Sequence, residues 1–125
     1  MTARYLTFEQ VVSIHDAVAP PGVRDAGLIA AAVGRPQVTA FGTDAYQTVW
    51  EKAAALLHSL ASTQGFVDGN KRTGWACALT FLTVNGHPLD PDFDTNAAEE
   101  FVLAVAEGRY ADVTDIAGEL VKFTR

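Results

Sequence analysis

The segment from Thr73 to Val84 constrains the fold most, because a helix over these residues has almost no polar face. Its apolar residues fall on every side of the helix: Trp75, Ala76, Cys77, Ala78, Leu79, Phe81, Leu82 and Val84. A helix that is apolar all round must be covered by its neighbours. Asn85 and Gly86 supply a helix stop, and Pro88 cannot continue the helix. The sequence therefore predicts a buried central helix.

Signals that start helices recur along the rest of the chain. Thr7–Gln10 matches a capping box ahead of an apolar stripe. Further helix starts are indicated by polar residues at Asp25, Asn96 and Asp112. A helix from Val49 to Ala61 carries apolar residues at the spacing of one buried face. The recurring helix signals, without sustained two-residue alternation, predict an all-α fold of about six helices. With 49% of its 125 residues hydrophobic, the chain has enough apolar side chains for one core, so we predict a single domain over residues 1–125.

The helical pattern stops between Arg35 and Tyr46. Gln37–Thr43 contains several β-favouring residues and a glycine, which predict an exposed loop or a small hairpin. An unstructured connector fits the same composition equally well.

Charge and cysteine content exclude several classes of protein. Nine Lys and Arg residues stand against fifteen Asp and Glu residues, so the net charge is −6 and we expect no nucleic-acid partner. No apolar run is long enough for a membrane span and no signal peptide is recognisable, so we expect no membrane partner and a cytoplasmic location. The single cysteine, Cys77, excludes an internal disulfide and fits a core position.

The loop from Gln64 to Thr73 concentrates groups that bind anions. It enters the central helix through a turn glycine, Gly69, and the N-terminus of a helix carries unpaired N–H groups and a partial positive charge. Arg72 can donate two parallel hydrogen bonds to a phosphate, and Lys71 adds a second positive charge. The loop is therefore predicted to bind phosphate.

Three further residues complete this loop. Asn70 can donate to a phosphate oxygen, and the Asp68 carboxylate can hold a divalent cation such as Mg²⁺. Phe66 is placed to anchor the loop in the core. Each polar residue also has a simpler use, because Asp68 and Asn70 are good helix caps and Arg72 can form a surface ion pair. The combination favours a phosphate site.

The order of these residues resembles a known signature. Gln64–Arg72 reads QGFVDGNKR, which is similar to the H-x-F-x-(D/N)-(G/A)-N-(G/K)-R motif of the Fic/Doc superfamily. Lysine at position 71 makes the motif similar to that of the Doc branch, which contains the toxins of Phd/Doc-type toxin–antitoxin pairs. Other stretches in matching order extend the resemblance over nearly the whole chain: 5–15, 21–25, 34–37, 52–59 and 85–88. The resemblance implies a Fic fold.

The Doc resemblance also implies an activity and its ligands. In that branch a phosphoryl group passes from ATP to a protein hydroxyl, in characterised members a threonine of elongation factor Tu, and translation stops. ATP and Mg²⁺ are the implied cofactors. The family's contacts to nucleotide phosphate and metal correspond to Asp68, Asn70, Lys71 and Arg72, which surround the Gly69 turn.

The resemblance implies two protein partners. In the family a hairpin called the flap pairs with a target segment by strand addition, for which Val38, Thr39 and Phe41 are available. The chain has no match to the (S/T)-x-x-x-E-(G/N) inhibitory helix of many Fic proteins. Inhibition is then expected from an antitoxin in trans, whose tail folds into a groove in the Doc branch.

Gln64 departs from the signature, since the family places its catalytic histidine there. A neutral imidazole takes up a proton near neutral pH, whereas a carboxamide can only orient a hydroxyl. Loss of a general base lowers a rate by roughly 10²–10⁴-fold, so we expect impaired chemistry at the implied catalytic set of Gln64, Asp68 and Arg72. An engineered substitution and natural divergence both explain Gln64. A non-catalytic nucleotide- or protein-binding module is the alternative to an impaired kinase or nucleotidyltransferase.

None of the three histidines lies at a sequence position from which it is expected to replace this base. His58 lies among leucines on a long helix, which predicts a half-buried, hydrogen-bonded structural role. His15 and His87 have no second ligand at metal spacing, which argues against zinc.

Overall fold

The computed structural model describes residues 2–125, which form six helices and one short hairpin. The helices are α1 (Phe8–Val18), α2 (Ala26–Gly34), α3 (Val49–Ala61), α4 (Asn70–Val84), α5 (Thr95–Ala106) and α6 (Val113–Val121). The hairpin pairs β1 (Thr39–Ala40) antiparallel with β2 (Thr43–Asp44), and a 3₁₀ turn (Arg35–Gln37) leads into it. The predicted all-α fold is confirmed. Within the described residues, no helix is long and apolar enough to cross a membrane.

Side-chain caps fix several helix starts where the sequence predicts them. At α1, Gln10 N donates to Thr7 Oγ1 at 3.2 Å and Thr7 N donates to Gln10 Oε1 at 2.9 Å, which completes the capping box. Asp25 and Asp112 accept first-turn N–H groups of α2 and α6. These caps satisfy amide groups that a helix start otherwise leaves unpaired.

Two helices begin earlier than predicted. Asp94 caps α5 by accepting a first-turn N–H group, so Asn96 lies inside that turn. Helix α4 begins at Asn70 rather than Thr73, because the left-handed Gly69 (φ 76°) ends the loop and the polar residues after it are already helical. An apolar pattern marks only the part of a helix that meets the core, and so it misses a polar first turn.

Helix α3 lies at the centre of the core and packs against α2, α4, α5 and α6. Helix α4 crosses α3 closely because Gly74 has no side chain: a Cβ there would lie 3.2 Å from Leu57 and 3.3 Å from Ala61.

Only one face of α4 is fully buried, because Trp75 and Leu79 are partly buried and Val84 is 41% exposed. The prediction that neighbours cover this helix on every side is therefore wrong, and α3 is the more completely enclosed helix. Cys77 is buried in α4, and burial raises the pKa of its thiol to about 12, which confirms its core position.

Candidate active site

A cavity of about 710 Å³ lies between the loop of residues 64–72, the start of α4, and α5. Its polar end contains every site residue that the sequence predicts: Gln64, Asp68, Gly69, Asn70, Lys71 and Arg72. Its apolar end is lined mainly by Trp75, Phe93, Ala98, Val102 and Leu103, and the polar side chains of Thr95 and Glu99 line the cavity as well. The cavity has the size of a small-molecule site.

The N-terminus of α4 opens at the polar end without a side-chain cap. Thr73 N donates to Gly69 O at 2.9 Å as the first backbone bond of the helix, so the N–H groups of residues 70–72 have no intrahelical partner. Asp68 Oδ1 instead accepts from Gly69 N at 2.7 Å. The alternative use of Asp68 and Asn70 as helix caps is therefore wrong. An uncapped helix start of this kind can bind an anion.

The end of α1 packs against one side of the loop. Arg72 Nη1 donates to Val18 O at 2.6 Å, which fixes one edge of the guanidinium and leaves its other nitrogens for a ligand. In the described chain Arg72 forms no ion pair, so the surface ion-pair interpretation is wrong. A Cβ on Gly69 would lie 2.4 Å from Ala19 Cβ, and φ is 76° there. Only glycine allows this close approach to α1.

His15 of α1 contacts the loop, a role that sequence reasoning missed. Its fully buried ring stacks on Phe66, with centroids 3.8 Å apart and planes 4° from parallel. Nε2 lies 2.8 Å from Asp68 O, and Nδ1 lies 3.0 Å from Asp16 Oδ1. The one sequence signal is its place four residues after Val11, on the core face of α1.

The loop is held in shape before any ligand binds. Gly65 O accepts from Arg24 N at 2.9 Å, and a Cβ on Gly65 would lie 2.7 Å from Ile29 Cγ1, so this edge has no room for a side chain. Asn70 Oδ1 accepts from Phe66 N at 2.9 Å, and Asn70 Nδ2 donates to Phe66 O at 3.0 Å. Phe66 is fully buried, which confirms its prediction as the anchor.

Gln64 is exposed on the cavity wall, and in the described chain no histidine lines that cavity. His58 Nδ1 accepts from Arg35 Nη1 at 2.7 Å, which confirms the predicted structural role of His58. Burial lowers the pKa of His58, and the positive charge of Arg35 lowers it further. The imidazole that the signature has at position 64 is therefore not supplied to this cavity by any other element of the described chain.

Asp68 suits a hard cation that is also bound by phosphate. Its Oδ1 accepts from Gly69 N, and its other carboxylate oxygen has no partner within the described residues. Mg²⁺ is commonly held by one or two carboxylates together with phosphate oxygens and water. A single available oxygen of Asp68 beside the uncapped start of α4 fits that arrangement, and the cavity leaves room for a nucleotide.

The hairpin is anchored at its base and free at its tip. Buried Lys52 donates through Nζ to Asp44 Oδ2 at 3.0 Å and to Tyr46 O at 2.5 Å, and Arg35 Nε donates to Tyr46 Oη at 2.9 Å. Phe41 at the tip is fully exposed and left-handed, with φ 53°. The predicted small hairpin is confirmed, and the unstructured connector is wrong. No sequence pattern indicates the role of Lys52.

The chain is similar to known proteins over the region that contains this site. The profile of the Fic/DOC family matches residues 5–82, from before α1 to near the end of α4. Toxin Doc of Mycolicibacterium smegmatis (strain ATCC 700084 / mc(2)155) is 55% identical over 101 residues, which cover 81% of this chain and 77% of that protein. On both grounds, this chain belongs to the Fic/DOC family.

Proposed function

We propose that this chain is a Doc-like toxin of a toxin–antitoxin system, built for phosphoryl transfer from ATP to a protein hydroxyl and impaired at Gln64. The observation that carries the proposal is the uncapped start of α4 beside Lys71 and Arg72 in a ligand-sized cavity. Family membership and the similarity to Toxin Doc support the toxin role.

We assign phosphate recognition to the polar end of the cavity. Bound ATP supplies the phosphoryl group, and Mg²⁺ offsets the charge of its phosphates. Arg72 holds phosphate oxygens with the guanidinium nitrogens that Val18 O does not occupy. The free N–H groups at the start of α4 add directed donors, and Lys71 adds charge. Asp68 holds the cation with its unpaired carboxylate oxygen.

The apolar end of the cavity suits the nucleoside. Trp75 and Phe93 offer aromatic surface, and Val102 and Leu103 of α5 line the same cavity.

Gln64 limits the chemistry of this site. Its carboxamide can hold a target hydroxyl by a hydrogen bond, but it does not take up the proton of that hydroxyl near neutral pH. This residue is also the observation that favours the second candidate function, a non-catalytic module that binds a nucleotide or a partner protein through the same cavity.

The hairpin is the surface that we assign to the protein target. Its strand edges are exposed, its base is fixed by Lys52, and Phe41 projects from its tip. A short exposed edge can accept an extended segment by strand addition. A translation factor such as elongation factor Tu is the target to test first, and the cytoplasm is the location that we propose with it. An antitoxin encoded next to the toxin gene is the expected inhibitor.

Intact-mass analysis tests the proposal. Purified elongation factor Tu is incubated with ATP and Mg²⁺ and with the unaltered chain or its Gln64→His variant. The variant is expected to add one phosphoryl mass to the target, because histidine restores a proton acceptor. The unaltered chain is expected to be slower by roughly 10²–10⁴-fold. An added AMP mass would instead indicate nucleotidyl transfer.

Two arginine variants in the Gln64→His background separate site chemistry from general effects of charge. Arg72→Ala is expected to abolish transfer, because the phosphate loses its clamp. Arg109→Ala removes an exposed arginine that pairs with Glu107 outside the cavity, and it should leave transfer unchanged. If Gln64→His is as inert as the unaltered chain although both bind ATP, the binding-module function replaces the enzymatic one.

A further inference from the structure

We infer that His15 is a positioning residue, which sets the orientation of the Asp68 carboxylate as a ligand of Mg²⁺. The inference rests on the proposed nucleotide site. His15 is buried, lies outside the signature loop and does not line the cavity.

The His15 ring is held in place by burial, stacking and hydrogen bonds. It is fully buried in α1 and stacked on Phe66, which is itself fully buried. Its Nε2 lies 2.8 Å from Asp68 O, and because a carbonyl oxygen only accepts, Nε2 carries the hydrogen and donates it. The position of Asp68 O is therefore fixed by the core of the protein.

The fixed carbonyl determines the orientation of the carboxylate through one peptide plane. Asp68 O and Gly69 N belong to the same planar peptide group, so holding the oxygen also sets the direction of the N–H. That N–H donates to Asp68 Oδ1 at 2.7 Å and thereby orients the side chain of Asp68. The other carboxylate oxygen is left for the cation. His15 thus acts on the cation through Asp68.

The neighbouring contacts leave the turn little room to adjust. Gly69 has φ 76°, and its Cα lies against α1 so closely that a Cβ would be 2.4 Å from Ala19 Cβ. Arg72 is tied to Val18 O in the same turn of α1. The end of α1 therefore sets both the carboxylate and the guanidinium. Residues that orient a metal ligand from behind commonly change metal affinity by about 10–100-fold when removed.

Calorimetry of ATP binding in Mg²⁺ and in EDTA tests the inference. The ratio of the two affinities measures the contribution of the cation. His15→Leu removes the donor, and it is expected to reduce this ratio about tenfold while leaving the affinity in EDTA within about twofold of that of the unaltered chain. His15→Gln places an amide N–H the same number of bonds from Cα as Nε2, and it is expected to restore most of the ratio.

Val11→Ala is the matched control, because Val11 is as fully buried on α1 as His15 is. Its backbone N–H bonds to Thr7 O at the start of the same helix, and no hydrogen bond joins Val11 to the loop. It should lower stability and leave the ratio unchanged. If His15→Leu does not fold, His15→Asn, whose amide is one bond too short, should show the same loss. An unchanged ratio in the folded His15 variant overturns the inference alone. An unaltered chain that binds no ATP in either buffer overturns the proposed function, and the inference falls with it.

Discussion

Nη1 of Arg35 donates a hydrogen bond to Nδ1 of His58 across 2.7 Å, which requires that ring nitrogen to be unprotonated. Burial lowers the pKa of His58, and the charge of Arg35 acts in the same direction. Arg35 also donates to Ser59 Oγ and to Tyr46 Oη, each at 2.9 Å. Neutral His58 is therefore part of the link between α3 and the base of the hairpin.

This link makes stability depend on pH. His58 takes up a proton in the unfolded chain below about pH 6.5, but in the folded chain only at lower pH, so folding loses stability as the pH falls from about 6.5. His58→Asn keeps an acceptor at the position of Nδ1 and does not titrate. Urea unfolding at several pH values between about 5 and 8 should show a steeper acid loss for the unaltered chain than for the variant. Parallel curves would rule out a contribution from His58.

A second prediction concerns the buried Lys52. Burial alone lowers the pKa of Lys52, but the hydrogen bond with Asp44 and the electrostatic influence of nearby Tyr5 outweigh it, and the net shift is upward. Its stabilising contribution is thus present below about pH 10.5 and is lost as the pH rises through the higher folded-state pKa. Lys52→Met keeps the apolar stem and leaves Tyr46 O without its donor, so it should lower the free energy of unfolding by about 1–3 kcal/mol.

Lys122→Met is the control for the lysine experiment. Lys122 is exposed and pairs with Glu119 at 3.0 Å, so its removal should change stability by less than about 1 kcal/mol. Urea denaturation measures both variants. Equal losses for the two would show that the buried contacts of Lys52 at the hairpin base are not important for stability.

Thr73 leads to a prediction of increased stability. It is fully buried in α4, and its Oγ1 has no hydrogen-bond partner in the described chain. An unpaired buried hydroxyl costs about 1–3 kcal/mol, and valine has nearly the same shape. Thr73→Val is therefore expected to raise the free energy of unfolding by about 1 kcal/mol, measured by urea denaturation. Thr80→Val in the same helix should bring no such gain, because Thr80 Oγ1 donates to Ala76 O at 2.8 Å. A less stable Thr73→Val variant would show that the hydroxyl does find a partner.

Local signals made much of this fold predictable. The capping box joins Thr7 to Gln10, three positions apart, so both residues appear in one short pattern. Phe66 and Asn70, four positions apart, likewise fall within one motif, although the pairing of the Asn70 amide with the Phe66 backbone was not foreseen. The sequence could therefore place the helices and bring the site residues together in one loop.

Contacts between segments that are distant in the sequence cannot be predicted from such local patterns. His15 meets Asp68 across 53 positions, and Arg72 meets Val18 across 54. These pairs exist only once α1 has packed against the loop, and neither partner carries a local signal for the other. The role of Lys52 cannot be predicted for a related reason, since a lysine on an amphipathic helix is normally exposed and this one is buried against carbonyls that flank the hairpin.

The tip of the hairpin combines strain with exposure. Phe41 and Gly42 have φ of 53° and 77°, the two positive values of a turn that favours Asn-Gly. A left-handed conformation costs a residue such as phenylalanine about 1–2 kcal/mol, and the exposed ring gains no packing in return. Phe41→Asn should therefore raise the free energy of unfolding by about 0.5–1 kcal/mol, which urea denaturation can measure.

The same variant separates the stability of the hairpin from its use as a target surface. If the Phe41 ring anchors the protein target, Phe41→Asn in the Gln64→His background should lower phosphoryl addition to elongation factor Tu by about tenfold, the loss expected for an interface anchor worth more than 1 kcal/mol. ATP affinity should stay unchanged, because Phe41 does not line the cavity. Val121→Ala removes an apolar side chain that is 48% exposed on α6, and it should affect neither measurement. A more stable variant with full transfer would show that the exposed ring is not the contact that engages the target.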